Sequence, residues 1–308
     1  MSRVLVIGSA NLDFTVAVDR LPRAGETVTE GTFHVAHGGK GANQAVAARR
    51  LGAEVRLVTC LGADAFGDQI TTQLAAEGIP REGLHRVPDS ATGIALIVVD
   101  RAGRNQIAVA PGANRRLDPG RVEAADIRWA EVLLCQLEIP FPTVVKALEG
   151  ARRQGVLTIL NPAPSRQLPA EIFPLVDLLT PNEREAGALT GVEIGSLKGA
   201  RQAGKRLLEL GAGRVIVTLG GEGALLCEGS GATHYPAFPV QAVDTVAAGD
   251  AFNGALAAAL AGGASLEEVV PLANAAAALA CTRRGAQPSL PHRAEVEEFL
   301  KRLSPRGQ

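Results

Sequence analysis

Residues 244–250 form the segment of this 308-residue chain whose residue types and spacing are best suited to chemistry. They read Asp-Thr-Val-Ala-Ala-Gly-Asp and precede a helical pattern. The small residues Ala247, Ala248 and Gly249 would let backbone N–H groups converge where the helix begins, and the helix dipole adds positive potential there. Asp250 follows at once, and a carboxylate ionised at neutral pH can accept a proton from an alcohol. The segment indicates a base beside an anion hole, although an aspartate that only caps the helix gives the same pattern.

A second glycine-rich segment, residues 37–44, precedes another predicted helix. It differs from a Walker A phosphate loop, in which Ser or Thr follows the lysine, because Gly41 follows Lys40. Its glycines would instead let the backbone approach a compact ligand, with Lys40 and Asn43 as donors to hydroxyl groups. A flexible glycine turn before a helix is the alternative interpretation.

Polar side chains come after two predicted strands. Asn11 and Asp13 follow the strand at 4–7, and Glu138 follows the strand at 132–135. Open α/β sheets bind ligands at the carboxyl ends of their strands, so these side chains could hold sugar hydroxyls. An Asx turn is the alternative for the first two. The first strand is not followed by G-x-G-x-x-G, which disfavours a nicotinamide-dependent oxidoreductase.

Residues suited to a nucleotide and Mg²⁺ follow two later strands. Asn182 and Glu185 lie one helical turn apart after the strand predicted at 175–179, and such a pair can organise a hydrated Mg²⁺ beside phosphates. A helix start with solvated acids is the alternative. Residues 218–223, Thr-Leu-Gly-Gly-Glu-Gly, could expose backbone N–H groups to a nucleotide or form a plain glycine turn.

An alternation of apolar runs with helical patterns would position all these residues. Strands are predicted at 4–7, 55–59, 132–135, 157–160, 175–179 and 215–219, and helices at 43–51, 67–77, 142–153, 183–189, 197–210, 250–260, 266–281 and 294–303. Pro271 could split the seventh helix. This alternation predicts a parallel sheet flanked by helices. Residues 15–36 and 91–110 read as β without helices, so we expect a small extra sheet forming a discontinuous lid.

Composition disfavours several function classes. A formal net charge of -1 provides no global field that would steer the chain to nucleic acid or to an anionic membrane. The longest Ala- and Leu-rich stretch, residues 252–260, is too short to span a bilayer, and the first residues read as a strand rather than a leader. The four cysteines lie far apart, so we expect buried thiols in a reducing cytoplasm.

Two segments in this order, residues 38–45 and residues 244–250, carry a highly specific resemblance. From residue 4 to about residue 300 the chain resembles the ribokinase family of carbohydrate kinases. The resemblance implies an α/β fold, a three-layer α/β/α sandwich with a mainly parallel central sheet and a small discontinuous β-sheet lid. The lid would comprise about residues 12–37 and 91–111 of a single domain over residues 1–308. In that family the lids of two subunits pack together, which implies a homodimer.

The resemblance also implies a role for each matching position. The catalytic set is Asp250 as base with Gly249, Ala248 and Ala247 as the anion hole. The pentose-binding set is Asn11, Asp13, Gly39, Lys40, Gly41, Ala42, Asn43, Glu138 and Asp250. The ATP-contacting set is Asn182, Thr218, Leu219, Gly220, Gly221, Glu222, Gly223, Gly249, Asp250 and Asn274. A K⁺ site matches Asp244, Val246, Ala280, Arg283, Gly285 and Ser289, and Glu185 matches a magnesium-associated position. Ala247 departs from the broader family, which often has Gly there.

The reaction implied is transfer of the γ-phosphoryl group of ATP to O5 of D-ribose, giving ribose 5-phosphate, with Mg²⁺ and K⁺. A kinase for deoxyribose, fructose or a nucleoside is the nearest alternative, and a panel of acceptor sugars separates these. A catalytically silent sugar- or nucleotide-binding protein is an alternative of a different class. Asp250 and the small-residue loop argue against it.

Overall fold

A nine-stranded sheet and a separate four-stranded sheet organise the computed structural model, which describes residues 2–303. Residue 1 and residues 304–308 of the expected single domain lie outside the described residues. The strands are β1 (Arg3–Ile7), β2 (Asn11–Val18), β3 (Thr32–Gly38), β4 (Glu54–Gly62), β5 (Leu84–Val87), β6 (Gly93–Asp100), β7 (Asn105–Ala110), β8 (Val132–Cys135), β9 (Leu157–Leu160), β10 (Leu178–Leu179), β11 (Arg214–Thr218), β12 (Ala224–Glu228) and β13 (Gly231–Tyr235).

Helices connect most of the parallel strands. They are α1 (Lys40–Arg50), α2 (Ala65–Ala76), α3 (Ala124–Trp129), α4 (Phe141–Gln154), α5 (Glu183–Thr190), α6 (Leu197–Glu209), α7 (Ala248–Ala261), α8 (Leu266–Cys281) and α9 (Arg293–Leu303). None of the helices within residues 2–303 combines the length and apolar character needed to cross a membrane.

The large sheet has the order β13-β12-β11-β10-β9-β8-β1-β4-β5 and is parallel except for β12 and β13. Its two faces are both covered. Val4 and Val6 of β1 belong to one buried cluster with α1, α7 and α8, whereas Leu5 and Ile7 belong to a second cluster with α4 and α6. The predicted three-layer α/β/α class is therefore confirmed, because strands buried on both faces read as continuous apolar runs.

The small sheet has the order β3-β2-β6-β7 and contains no helix, as the sequence pattern predicted. Its central pair, β2 and β6, is parallel, and the outer pairs are antiparallel. A turn at residues 100–104 closes the hairpin of β6 and β7, with the Gly103 amide donating to the Asp100 carbonyl at 2.9 Å. β2 leaves the large sheet just after β1 and β3 leads directly into α1, so this sheet borders the carboxyl edge of the large one.

Several predicted boundaries were wrong. The strand expected at 175–179 is limited to β10, because residues 170–175 form a 3-10 helix. The strands β5, β12 and β13 and the helix α3 were not predicted. Pro271 does not split α8, since burial of the alanine-rich stretch after it outweighs the roughly 3 kcal/mol cost of an internal proline. Asn11 and Asp13 lie within β2 rather than in an Asx turn.

Candidate active site

Asp250 is the third residue of α7, and its carboxylate does not cap the helix. Ala247 occupies the N-cap position. The two Asp250 oxygens accept from side chains of α1 instead: Asn43 Nδ2 donates to Oδ2 at 2.9 Å and Gln44 Nε2 donates to Oδ1 at 2.9 Å. The carboxylate is thus held in one orientation at the amino end of a helix, with 6% of the residue exposed.

Close packing of α1 against α7 makes these contacts possible. A Cβ on Gly254 would lie 2.4 Å from the Ala47 Cβ and 2.8 Å from the Ala48 amide nitrogen, so only glycine lets the two helices approach this closely. Asn43 and Gln44 lie one turn before this crossing and therefore reach the first turn of α7.

The amino end of α7 has the geometry of an anion hole. Ala247 adopts φ 61 and ψ 8, the left-handed region, and it precedes the first turn of α7, whose N–H groups have no partner within the helix. One of them, the Ala248 amide, donates to the Thr245 carbonyl at 3.3 Å. Ala247 has no polar side chain with which to cap them. No atom of residues 2–303 lies within 4 Å of where a Cβ on Gly249 would stand, apart from its own neighbours and helix backbone. An anion can approach this turn from the open side.

Asp13, Lys40 and Glu138 lie beside Asp250 and interact with one another electrostatically. Burial, together with the negative charges of Glu138 and Asp250, raises the pKa of Asp13 to about 7. Burial alone would lower the pKa of Lys40, but Asp250, Glu138 and Glu185 together raise it above the usual value. The pocket therefore holds one firmly protonated cation among several carboxylates, a donor and acceptor set suited to an uncharged polyol.

Glu138 is fixed by backbone and hydroxyl donors. The Lys40 amide donates to Glu138 Oε2 at 3.1 Å, and the Ser9 hydroxyl donates to the same oxygen. Both bonds use Oε2 and neither uses Oε1. Glu138 thus ties the turn after β8 to the start of α1 and to the turn after β1.

Close packing requires glycine at residue 39. Gly39 has φ 85, and a Cβ there would lie 2.7 Å from the Ala10 Cα and from the Asn11 amide nitrogen. The Ala42 amide donates to the Ser9 carbonyl at 2.8 Å. α1 begins at Lys40 rather than at the predicted residue 43, so Lys40 and Gly41 are helical and the glycine turn ends at Gly39.

Asn182 and Glu185 form a capping box at the start of α5. Asn182 Oδ1 accepts from the Glu185 amide and Glu185 Oε2 accepts from the Asn182 amide, both at 2.9 Å. Glu185 is buried, so the interpretation as a solvated acid is wrong, and burial raises its pKa. Lys40 and Asp250 interact electrostatically with it. A bridge pairs Asn182 with Thr218.

Residues 218–223 link β11 to β12 through a short 3-10 helix. Leu219 is buried, so only its backbone could contact a nucleotide. Gly220 and Gly221 have open space where a Cβ would stand, relative to the described residues. Gly223 has φ 96 and packs against the Tyr235 carbonyl, and Asn274 Nδ2 donates to that same carbonyl at 3.2 Å. The fold therefore brings Asn274 next to this loop, although more than 50 residues separate them in the sequence.

The Asp244 carboxylate joins the backbone at Val246 to the backbone at Gly285 beside the anion hole. Asp244 Oδ1 accepts from the Val246 amide and Oδ2 accepts from the Gly285 amide, both at 3.0 Å. The Arg283 guanidinium pairs with Glu295, which leaves its carbonyl as the group available for a cation. The Ala280 carbonyl accepts from the Arg283 amide at 3.3 Å, and the buried Ser289 hydroxyl donates to the Ala286 carbonyl. Within residues 2–303 no cluster of three or more His, Cys, Asp or Glu side chains could hold a metal ion.

Comparison with known proteins decides the family. Residues 1–293 match the model of the pfkB family carbohydrate kinases. The chain belongs to this family. It is 41% identical to a ribokinase of Haemophilus influenzae over 298 residues, 96% of this chain and 97% of that one. It is 36% identical to a deoxyribokinase of Salmonella typhi, over 96% of this chain and 98% of that one.

A solved structure extends the comparison to the whole fold. The structure of Arabidopsis thaliana ribokinase complexed with ribose and ATP matches this carbohydrate kinase with a TM-score of 0.91. The two are 34% identical, and the match covers 97% of this chain and 99% of that one. Together these similarities identify the chain as a phosphotransferase of the ribokinase type of fold.

Sequence reasoning missed four amide side chains of this carbohydrate kinase: Asn114, Gln136, Asn161 and the unassigned Gln44. Asn114 Nδ2 donates to Asn11 Oδ1 at 2.7 Å and so orients it. The other three form a chain of hydrogen bonds behind Asp250. A signal existed for two of them, since Gln136 and Asn161 each follow an apolar strand at the ligand-binding edge.

Proposed function

We propose that this carbohydrate kinase transfers the γ-phosphoryl group of ATP to O5 of D-ribose, with Asp250 as the general base. The observation that carries the proposal is the Asp250 carboxylate, held by Asn43 and Gln44 at the uncapped amino end of α7. A base and an anion hole in one helical turn suit a reaction in which a hydroxyl loses its proton while phosphoryl charge moves.

In the proposed reaction, ribose binds between the two sheets with its hydroxyls on Asn11, Asp13, Lys40, Asn43 and Glu138. Asn43 Oδ1 supports this arrangement: it is buried and has no partner among residues 2–303, so a sugar hydroxyl could donate to it. The glycines Gly39 and Gly41, with Ala42, would bring backbone close to the sugar. Asn11 would be oriented by Asn114.

Chemistry then requires one proton transfer and one displacement. Asp250 takes the proton of the 5-hydroxyl as O5 forms a bond to the γ-phosphorus, and the bond to the bridging oxygen of ADP breaks with its electrons on ADP. General-base catalysis of this kind typically contributes about 10²–10⁴-fold. N–H groups of residues 247–249 would stabilise the equatorial oxygens, where loss of one donor costs about 10²–10³-fold in rate.

Nucleotide binding would use the second half of the cleft. Residues 218–223, Gly249 and Asn274 would contact ATP, with Gly220 and Gly221 open to it. Asn182 and Glu185 would hold a hydrated Mg²⁺, which would neutralise phosphate charge. K⁺ would lie among the carbonyls of Val246, Ala280, Arg283 and Gly285, with Asp244 and Ser289, and would steady the anion hole electrostatically.

Deoxyribose is the second candidate acceptor, because the Salmonella typhi relative is a deoxyribokinase. The two sugars differ only in the 2-hydroxyl. A site built to hydrogen-bond a hydroxyl rejects the analogue that lacks it by leaving buried polar groups unpaired. The ratio of kcat/KM for ribose and deoxyribose decides between them.

Several further features belong to the proposal. Residues 12–37 and 91–111 would act as a lid within a single domain spanning residues 1–308, closing over the sugar so that water does not compete as acceptor. Two lids would pack together in a homodimer. The free cysteines fit a reducing cytoplasm: within residues 2–303 Cys60, Cys135 and Cys227 are buried as expected, whereas Cys281 is partly exposed.

The test combines one variant with a panel of acceptors. Asp250→Ala should lose kinase turnover by about 10²-fold or more while it still binds ribose, because the base is removed and the sugar contacts remain. Turnover is measured as ADP release with ribose, deoxyribose, fructose, a nucleoside and no acceptor, each with and without K⁺. Asp89→Ala, the same change at an exposed aspartate, is the control. Near-normal turnover of Asp250→Ala would refute the base assignment, and absence of acceptor-dependent turnover in the unmodified enzyme would favour a silent binding protein.

A further inference from the structure

We infer that Gln44 is a positioning residue that holds the Asp250 carboxylate in one orientation, aimed at the acceptor hydroxyl. This inference rests on the proposed role of Asp250 as base. Gln44 is 0% exposed and donates through Nε2 both to Asp250 Oδ1 at 2.9 Å and to Asn161 Oδ1 at 3.1 Å. Both hydrogens of its amide are used, so the side chain has one orientation.

The partners of Asn161 and Gln136 fix which atom of the Gln44 amide donates and which accepts. Asn161 Nδ2 donates at 3.0 Å to the Thr180 carbonyl, which can only accept. Asn161 must therefore present its oxygen to Gln44, and Gln44 must present its nitrogen to Asn161 and Asp250. The Gln44 oxygen accepts from Gln136 Nε2 at 2.6 Å, which completes the same polarity.

This network also holds the first turn of α7 through its backbone. The Thr180 hydroxyl donates to Asn253 Oδ1 at 2.6 Å, and Asn253 Nδ2 donates to the Gly249 carbonyl at 2.8 Å. Asp250 is thus fixed through its side chain by Gln44 and through the adjacent backbone by Asn253. A buried network in which each member has one allowed role defines a single geometry.

Gln44 and Asn43 make similar bonds to Asp250 but differ in what else they face. Asn43 has a buried oxygen without a partner among residues 2–303, so it can turn toward the sugar. Gln44 is bonded on its far side to Gln136 and Asn161. We expect Asn43 to be shared with the substrate, while Gln44 holds the base throughout the reaction.

The functional consequence concerns alignment. A general base must lie within hydrogen-bond reach of the proton that it takes, so a carboxylate that can rotate away from the acceptor hydroxyl is a poorer base. The charged groups that also face Asp250 are Lys40, Asp13 and Glu185, on α1, β2 and α5. Substitutions at Gln44 leave all three in place, so a fall in kcat without a change in ribose binding can be assigned to the missing donor.

Three variants provide the test, each assayed for kcat with ribose and ATP saturating and for the Kd of ribose. Gln44→Met removes the donor and keeps the volume, so kcat should fall by about 10-fold to 100-fold, since the base is less well aligned. Gln44→Glu replaces the donor by a second carboxylate that repels Asp250, and kcat should fall further. The Kd of ribose should stay close to that of the unmodified enzyme in both variants, because the sugar contacts remain.

Gln136→Met is the matched control. It also breaks one buried amide bond to Gln44, but it removes nothing that touches Asp250. Its kcat should stay close to that of the unmodified enzyme, whatever its thermal stability. The inference is overturned if Gln44→Met retains the unmodified kcat, or if Gln136→Met lowers kcat as much. Asp250→Ala separates the two proposals: if that variant is active, the base assignment fails; if it is inactive and the Gln44 variants behave normally, only the positioning role fails.

Discussion

Asp13 is the acid of the proposed sugar pocket whose ionisation changes near neutral pH. Burial, with the charges of Glu138 and Asp250, raises its pKa to about 7 in the free enzyme. A sugar hydroxyl that donates to Asp13 would favour the ionised form. Because the free enzyme is protonated at this position below pH 7, sugar binding there must first release a proton, and affinity must fall as the pH falls.

We therefore expect the Kd of D-ribose, measured by calorimetry without ATP, to be about tenfold larger at pH 6 than at pH 8. Titrations in two buffers of different ionisation enthalpy should show proton release on binding at pH 6.5. Asp13→Asn should bind ribose more weakly, with a Kd that is nearly the same at both pH values.

The asparagine variant separates Asp13 from His37, which titrates nearby and whose pKa is lowered by burial. If Asp13→Asn keeps the tenfold change, the titrating group lies elsewhere. If the unmodified enzyme binds ribose equally at pH 6 and pH 8, the carboxylate does not receive a sugar hydroxyl.

At this scale the sequence predicted which residue types belong to the site but not how they are held. Asp250 and Asn43 were identified from local patterns, and the structure joins them at 2.9 Å across 207 residues of chain. Asn114 could not be found in the same way. Its bond to Asn11 spans 103 residues, and an isolated asparagine has no periodic or motif signal that would reveal such a contact.

The start of α7 is the element whose geometry matters most for the anion hole. Ala247 has φ 61, one of two non-glycine residues with positive φ within residues 2–303. An alanine in this region is disfavoured by about 1–2 kcal/mol, whereas glycine gains about 0.4–1 kcal/mol of unfolded-state freedom. Relief of strain is the larger effect, so the family's frequent glycine is compatible with this turn.

Ala247→Gly should accordingly raise the free energy of unfolding by up to about 1 kcal/mol in urea titrations and retain turnover. Ala248→Gly is the matched control, because Ala248 is the first helical residue and has no positive φ to relieve. That change should lower the stability by about 0.5–1 kcal/mol. Shifts of the same sign in both variants would show that Ala247 is not strained in solution.

Element types were easier to predict than element ends. Parallel strands buried on both faces, such as β8 and β9, matched their apolar runs residue for residue. β10 did not, because its apolar run continues backward through Pro174 into a 3-10 helix that packs its side chains equally well. Apolar character reports burial, and burial alone does not distinguish a strand from a short helical turn.

At the scale of the whole molecule, the two faces of the small sheet present different residues. Register places Asp13, Ile97 and Ile107 on one face, since Asp13 pairs with Ala95 and Ile97 pairs with Ile107. Leu96 lies on the opposite face, paired with Ala108. The face with Asp13 turns toward the proposed sugar site, and its outer part presents Ile107 at 54% exposure.

A dimer formed through the face with Asp13 would bury that apolar surface. The same contact would help each lid to close over its own sugar cleft. Ile107→Glu should therefore convert a particle of twice the 31.8 kDa chain mass into a monomer, measured by light scattering across a range of concentrations, because a charge would be left in an apolar interface. The KM for ribose should rise in the same variant, since lid closure is weakened. Leu96→Glu, with 52% exposure on the other face of the same sheet, controls for adding a charge and should remain dimeric. An unchanged mass for Ile107→Glu, or a monomer for Leu96→Glu alone, would assign the interface to a different surface.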